Sequence, residues 1–159
     1  MNVTSIPSEP VTVAVTGPVL FAYDGSDLAE TAIVQAAKEL AVPRDAIVVC
    51  VWQPADVGFT PTTERHFDAN QATAVHEAAE ETAAHGAMLA EKAGFRARSV
   101  AVQAAPTWKG IVATLHQEGA SLIVMGSHRH AGLVGHLVGS VASAVIAHSE
   151  TSVMVVHQR

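Results

Sequence analysis

The sequence predicts an α/β fold: one open, mainly parallel five-stranded sheet in the order 3-2-1-4-5, with helices on both faces. Three observations predict it. The strand-like segments are continuous apolar runs rather than alternating ones, as strands covered on both faces require. Helical segments alternate with them, which calls for parallel strands joined by right-handed crossovers. The 159 residues are 49% hydrophobic but only 4% aromatic, enough apolar material for one full core in one domain.

The elements follow in order. Residues 1–17 form an N-terminal extension whose first ten positions hold two prolines and read as a mobile tail, and residues 18–159 form the domain. Val11 to Val15 alternates like a strand, but Thr16-Gly17-Pro18 interrupts it, so it belongs either to a sheet edge or to the tail. Val19 to Tyr23 is the first buried strand and ends at Asp24-Gly25-Ser26. Ser26 suits the N-cap of a helix with Asp27 and Glu30 in its first turn. Ala32, Ile33, Ala36, Ala37 and Leu40 make that helix's apolar face, and Pro43 follows its end.

Ala46 to Trp52 is a second continuous run, rich in β-branched residues and stopped by Pro54. Residues 53–62 read as a loop. Thr63 to Ala93 is rich in Ala, Glu and His and predicts a long helix ended by Gly94. Phe95 to Gln103 is a more polar third strand, placed toward an edge. Pro106 opens a third helix to about Gln117, with Ile111, Val112 and Leu115 inward. Leu122 to Met125 is the fourth strand and breaks at Gly126; Ser140 to His148 is the last helix and Val153 to Val156 the last strand.

Charge and processing signals narrow the function. The net charge is −6, which argues against a general nucleic-acid surface. The single cysteine, Cys50, excludes an internal disulfide framework and fits a reducing compartment. The N-terminus lacks a basic and apolar export signal, and no run approaches the roughly eighteen apolar residues of a membrane span. A cytoplasmic protein is the expectation.

The chemistry concentrates after the fourth strand. Between Glu118 and Glu150 there is no acidic residue, although the chain is acidic overall. A glycine-bearing, acid-free turn between a buried strand and a helix N-terminus suits an anion such as phosphate. In an open α/β sheet, ligands bind beyond the carboxyl ends of strands where the order reverses. If strands one and four are neighbours, Asp24 faces the Gly126 loop across that point. Asp24 then serves as an acceptor for a ligand's hydroxyl or amine groups, or as a turn residue before the first helix, or as both.

The residues resemble a known family here. Gly126-Ser127-His128-Arg129, nine residues, then Gly139-Ser140-Val141 is similar to the nucleotide loop of the universal stress protein family. The opening strand with Asp24, and Val48 to Val51 as the second strand, also resemble that family, over roughly residues 18–157. The resemblance implies an adenine nucleotide, ATP or AMP, with or without Mg2+. It implies Asp24 and Val51 at the nucleoside and Gly126, Ser127, His128, Gly139, Ser140 and Val141 at the phosphates. It implies Ala22, Tyr23, Met125, Arg129 and Gly132 in the same nucleotide site. It also implies a homodimer paired through Val153 to Val156, with no nucleic acid and no membrane as partner, and ATP hydrolysis that is slow at most.

Two positions depart from the family pattern. Arg129 stands where a glycine is expected, and Ala142 where a hydroxyl residue is common. The arginine either crowds the phosphates or pairs with one through its guanidinium. A member that has lost the nucleotide and works through protein partners is therefore the alternative. A phosphate-handling enzyme using the loop histidines as acid or base is a further one.

Other signals carry less. Among nine histidines, His128, His130 and His136 cluster, but no acid lies near and Arg129 repels a cation, so no metal site is expected. There is no Gly-x-Ser-x-Gly elbow, P-loop lysine or Gly-x-Gly-x-x-Gly. Cys50 reads as core. His66, His76 and His85 read as a solvated helix face. Trp52 and Trp108 suit either a pocket wall or ordinary packing.

Overall fold

The computed structural model describes residues 17–53, 69–127 and 138–157. The elements are β1 (Val19–Ala22), α1 (Asp27–Glu39), β2 (Asp45–Trp52), α2 (Ala69–Lys92), β3 (Arg96–Gln103), α3 (Thr107–Gln117), β4 (Leu122–Ser127), α4 (Ser140–His148) and β5 (Ser152–His157). The five strands form one all-parallel sheet in the order β3-β2-β1-β4-β5, the order the sequence predicts. β1 lies at its centre, with Val19 opposite Ala46 on one side and Leu122 on the other.

Strand alternation sorts the core into two layers. Val19, Phe21 and Tyr23 pack with Val48, Val124 and the buried faces of α1 and α2. Leu20, Ile47, Val49, Ile123 and Met125 pack with Ile111 and Leu115 of α3 and Ala142 and Val145 of α4. Crossovers that step one way along the sheet lie on one face, and those that step the other way lie on the other. Right-handed connections require this division.

The differences from the sequence reading have local causes. β4 does not stop at Met125 but runs on through Gly126 and Ser127, which pair with Val156 and His157. Gly126 keeps extended backbone, and its small size serves packing: a Cβ there would meet Leu28 Cγ at 2.7 Å and the Leu28 carbonyl oxygen at 3.0 Å. In α3, Val112 is only half-buried and Thr114 takes the third core position. The Thr114 hydroxyl satisfies itself by donating to the Gly110 carbonyl oxygen at 2.8 Å. β3 is an edge strand, as its polarity suggested, and its outer residues pair across the surface as Arg96–Asp45 and Arg98–Glu118. Val11 to Val15 and the 63–68 start of the long helical segment lie outside the described residues.

Tyr23 shows how tightly the α1/α2 layer closes. Its ring lies against Gly86 of α2, where a Cβ would meet Tyr23 Cδ1 at 2.7 Å and Val48 Cγ1 at 2.8 Å. The hydroxyl donates to Glu30 Oε1 at 3.3 Å and lies 2.9 Å from His85 Nδ1. His85 is therefore not only a solvated helix residue. Burial, with the nearby charge of Glu30 and its hydrogen bond, pushes the Tyr23 phenol from 10.0 up to about 12.

Two outcomes follow from this contact. Gly86→Ala should destabilise the fold by about 1–3 kcal/mol in urea denaturation through overpacking. Helix propensity alone predicts a gain of about 1 kcal/mol, and a gain would contradict the packing. Tyr23 is the only tyrosine, so phenolate absorbance reports it alone. The unfolded phenol loses its proton near 10.0 and the folded one near 12, so Tyr23's contribution is complete below the first value and is lost as pH rises toward the second. A native-state midpoint near 10.0 would contradict the buried, Glu30-facing hydroxyl.

Candidate functional site

β1 and β4 are neighbours, yet the helices that follow them leave on opposite faces: α1 into one core layer and α4 into the other. A crevice opens at their carboxyl ends, as the reversal of strand order dictates. It is a cavity of about 230 Å³. Ala22, Tyr23, Asp24, Val51, Met125, Gly126, Ser127, Gly139, Ser140 and Val141 line it. These are ten of the thirteen positions named from the sequence. The other three, His128, Arg129 and Gly132, lie outside the described residues, as do His130 and His136.

The β1 turn is built by hydrogen bonds within it. Asp24 Oδ1 accepts from the Ser26 amide at 3.0 Å and from the Ser26 hydroxyl at 2.6 Å. Ser26 Oγ in turn accepts from the Ala29 amide at 3.2 Å and caps α1. Asp24 is thus a turn residue before α1. It is also exposed and borders the cavity, and its Oδ2 has no partner among the described residues. Tyr23 borders the cavity through its main chain, because its ring belongs to the opposite core layer.

The β4 end is closed differently. The buried Ser127 hydroxyl accepts from the Gly139 amide at 2.7 Å, tying the end of the strand to the start of α4. Gly139 is the N-cap and provides no side-chain cap. The amides of Ser140, Val141 and Ala142 open the helix, where no intrahelical carbonyl can reach them. The first turn of α4 has no acid, whereas α1 has a side-chain cap and carries Asp27 and Glu30. Of these two helix ends at the crevice, α4 is the one that favours an anion.

The far side of the cavity is apolar. Val49 and Val51 of β2 and Ile111 of α3 form this wall, with Thr107 at the start of α3 as its one polar side chain among the described residues. Gly110 permits the approach of α3: a Cβ there would meet Val51 Cγ1 at 2.8 Å. α3 also begins without a side-chain cap, but this flank is hydrocarbon and suits a flat apolar surface rather than a phosphate. The sequence reading did not name Ser26, Ala29, Val49, Thr107 or Ile111 for the site. Ser26 and Ala29 follow from the Asp24 turn, but α3's approach to β2 is a tertiary contact with no local motif.

Cys50 is buried beside Ala79 and Ala83, and burial pushes its thiol up, so it is core. Trp52 lies against His76, and Trp108 stacks on His148 with centroids 4.1 Å apart; neither lines the cavity. No helix among the described residues is long and apolar enough to cross a membrane.

Comparison with known proteins agrees with this architecture. The universal stress protein family model matches residues 16–157. The structure of hypothetical protein MJ0577, solved as a structure-based assignment of biochemical function, is 25% identical with a TM-score of 0.72. The match covers 91% of this chain and 98% of that one, so the likeness spans the whole domain. A universal stress protein in complex with cAMP is 23% identical, TM-score 0.63, over 90% of this chain and 98% of that one. The universal stress protein from Archaeoglobus fulgidus in complex with dAMP is 23% identical, TM-score 0.57, over 89% and 98%. None of the curated proteins compared with the chain matches it. With a family model that matches nearly its full length and neighbours that share its sheet, this chain belongs to the universal stress protein family.

Proposed function

We propose that this protein binds an adenine nucleotide, AMP or ATP, in the crevice between β1 and β4, and serves a regulatory or stress-response role. One observation carries the reading: the cavity has an apolar wall at Val49, Val51 and Ile111 and an uncapped, acid-free helix end at Ser140 and Val141. A nucleotide has the matching halves, a flat base and an anionic tail. Asp24 Oδ2 accepts from the ribose. Ser127, Gly139, Ser140 and Val141 hold the phosphates, joined by His128, Arg129 and Gly132 of the following loop. The related cAMP and dAMP complexes support an adenine ligand.

The described side chains at the phosphate end, Ser127 and Ser140, are hydroxyls. They hold charge, and among the described residues no base for an attacking water stands beside them, which supports ATP hydrolysis, with or without Mg2+, that is slow at most. β5 ends the sheet, and pairing of its Val153 to Val156 segment with a second copy would satisfy the open edge in a homodimer. The setting is the cytoplasm.

Calorimetry on the full chain tests the reading. AMP and ATP should both bind with 1:1 stoichiometry per chain, and Asp24→Ala should weaken binding by about tenfold, the loss of one charge-assisted hydrogen bond. Absence of heat in the wild type, with binding restored in Arg129→Gly, would overturn it in favour of a partner-binding protein whose arginine fills the site.

A further inference from the structure

A second surface, apart from the crevice, is left uncovered. A groove of about 410 Å³ runs between α1 and the end of α2. Val34 and Ala37 of α1, Leu89 of α2 and Ala93 just after it make its apolar part, and Glu30, Lys38 and Lys92 border it. Val34 is 50% exposed there, although Ile33 and Ala36 on the same helix are core. An apolar strip with a charged border marks a place where something binds.

The foot of this groove lies beside the point where the chain enters the fold. Val42, 42% exposed, sits against the turn after α2: a Cβ on Gly94 would lie 3.3 Å from Val42 Cγ2. The Arg44 carbonyl oxygen accepts from the Arg96 amide at 2.9 Å. The turn after α1 is thus held to the turn after α2, next to Lys38, Lys92 and Ala93. From that turn the Arg44 guanidinium grips Gly17. Its Nε and Nη2 donate to the Gly17 carbonyl oxygen at 3.2 and 3.1 Å, and Nη2 also donates to Ser121 Oγ at 2.7 Å. Residues that precede Gly17 therefore start out from the foot of the groove.

Those residues have the pattern the groove needs. Val11-Thr12-Val13-Ala14-Val15-Thr16 carries no charge. An extended chain puts its three valines on one side and Thr12, Ala14 and Thr16 on the other. Val11 to Val15 reaches about 17 Å in that form, and the groove follows α1 from Lys38 to Glu30, about 12 Å of helix. The β3 edge of the sheet suits the segment less, because Arg96 and Arg98 guard it.

We propose that Val11 to Val15 docks along the α1–α2 groove of its own chain, with Val11, Val13 and Val15 turned inward over Val34 and Leu89. The proposal is independent of the nucleotide reading.

Amide spectra of the isotopically labelled full chain test it, comparing wild type with Val13→Asp and Thr12→Asp at high and low protein concentration. Val13→Asp should shift the amides of Val34, Ala37, Leu89 and Ala93, while Thr12→Asp, on the outward side, should leave them in place. Val11→Asp repeats the measurement at the other end of the segment and serves if Val13→Asp does not fold. Unmoved groove amides in both valine variants would overturn the proposal. So would shifts at Val153 to Val155 instead, which would put the segment on the β5 edge, or equal shifts from Thr12→Asp. Groove amides that move on dilution of the wild type would overturn it in favour of a second copy of the chain.

Discussion

The parallel pairing of β1 with β4 is the contact on which the rest of the carboxyl edge depends. Val19 to Ala22 lie in register with Leu122 to Met125, and both strands are buried on both faces. Because the chain leaves β1 into one core layer and β4 into the other, no helix can cover the gap between their ends. The crevice is thus a consequence of strand order and crossover handedness. It exists before any side chain in it has a task.

The two edges of the crevice are finished in opposite ways. At β1, the Asp24–Ser26 turn consumes its own donors and caps α1, and acids fill that helix's first turn. At β4, one bond from the Gly139 amide to Ser127 pins α4, whose first residues, Ser140, Val141 and Ala142, line the cavity without a side-chain cap. One helix end is saturated and electronegative, and the other is open and electropositive. That asymmetry gives the cavity a direction, electropositive at the start of α4 and apolar at Val51 and Ile111.

Much of this was legible in the sequence because it is written locally. Continuous apolar runs marked β1, β2 and β4, Ser26 with Asp27 and Glu30 marked the start of α1, and the acid-free stretch after Glu118 covers the acid-free first turn of α4. Contacts between distant segments were not legible. Gly126 looked like the end of a strand, whereas its missing Cβ makes room for Leu28 of α1 within a strand that continues to Ser127. The approach of α3 to β2 through Gly110, which brings Thr107 and Ile111 to the cavity, has no spacing rule behind it. The Tyr23 ring faced away from the site its main chain borders, because alternation along β1 assigns it to the α1/α2 layer.

The central claim is that one crevice, polarised between α4 and β2, is where a nucleotide is held. Amide chemical-shift mapping of isotopically labelled protein titrated with AMP tests that most directly. The largest shifts are expected at Tyr23, Asp24, Val51, Ser127, Ser140 and Val141, with little change at Val34, Leu89 and Ala93 in the groove between α1 and the end of α2. Largest shifts in that groove, or saturation of AMP without any shift at Ser140 and Val141, would contradict binding in the crevice.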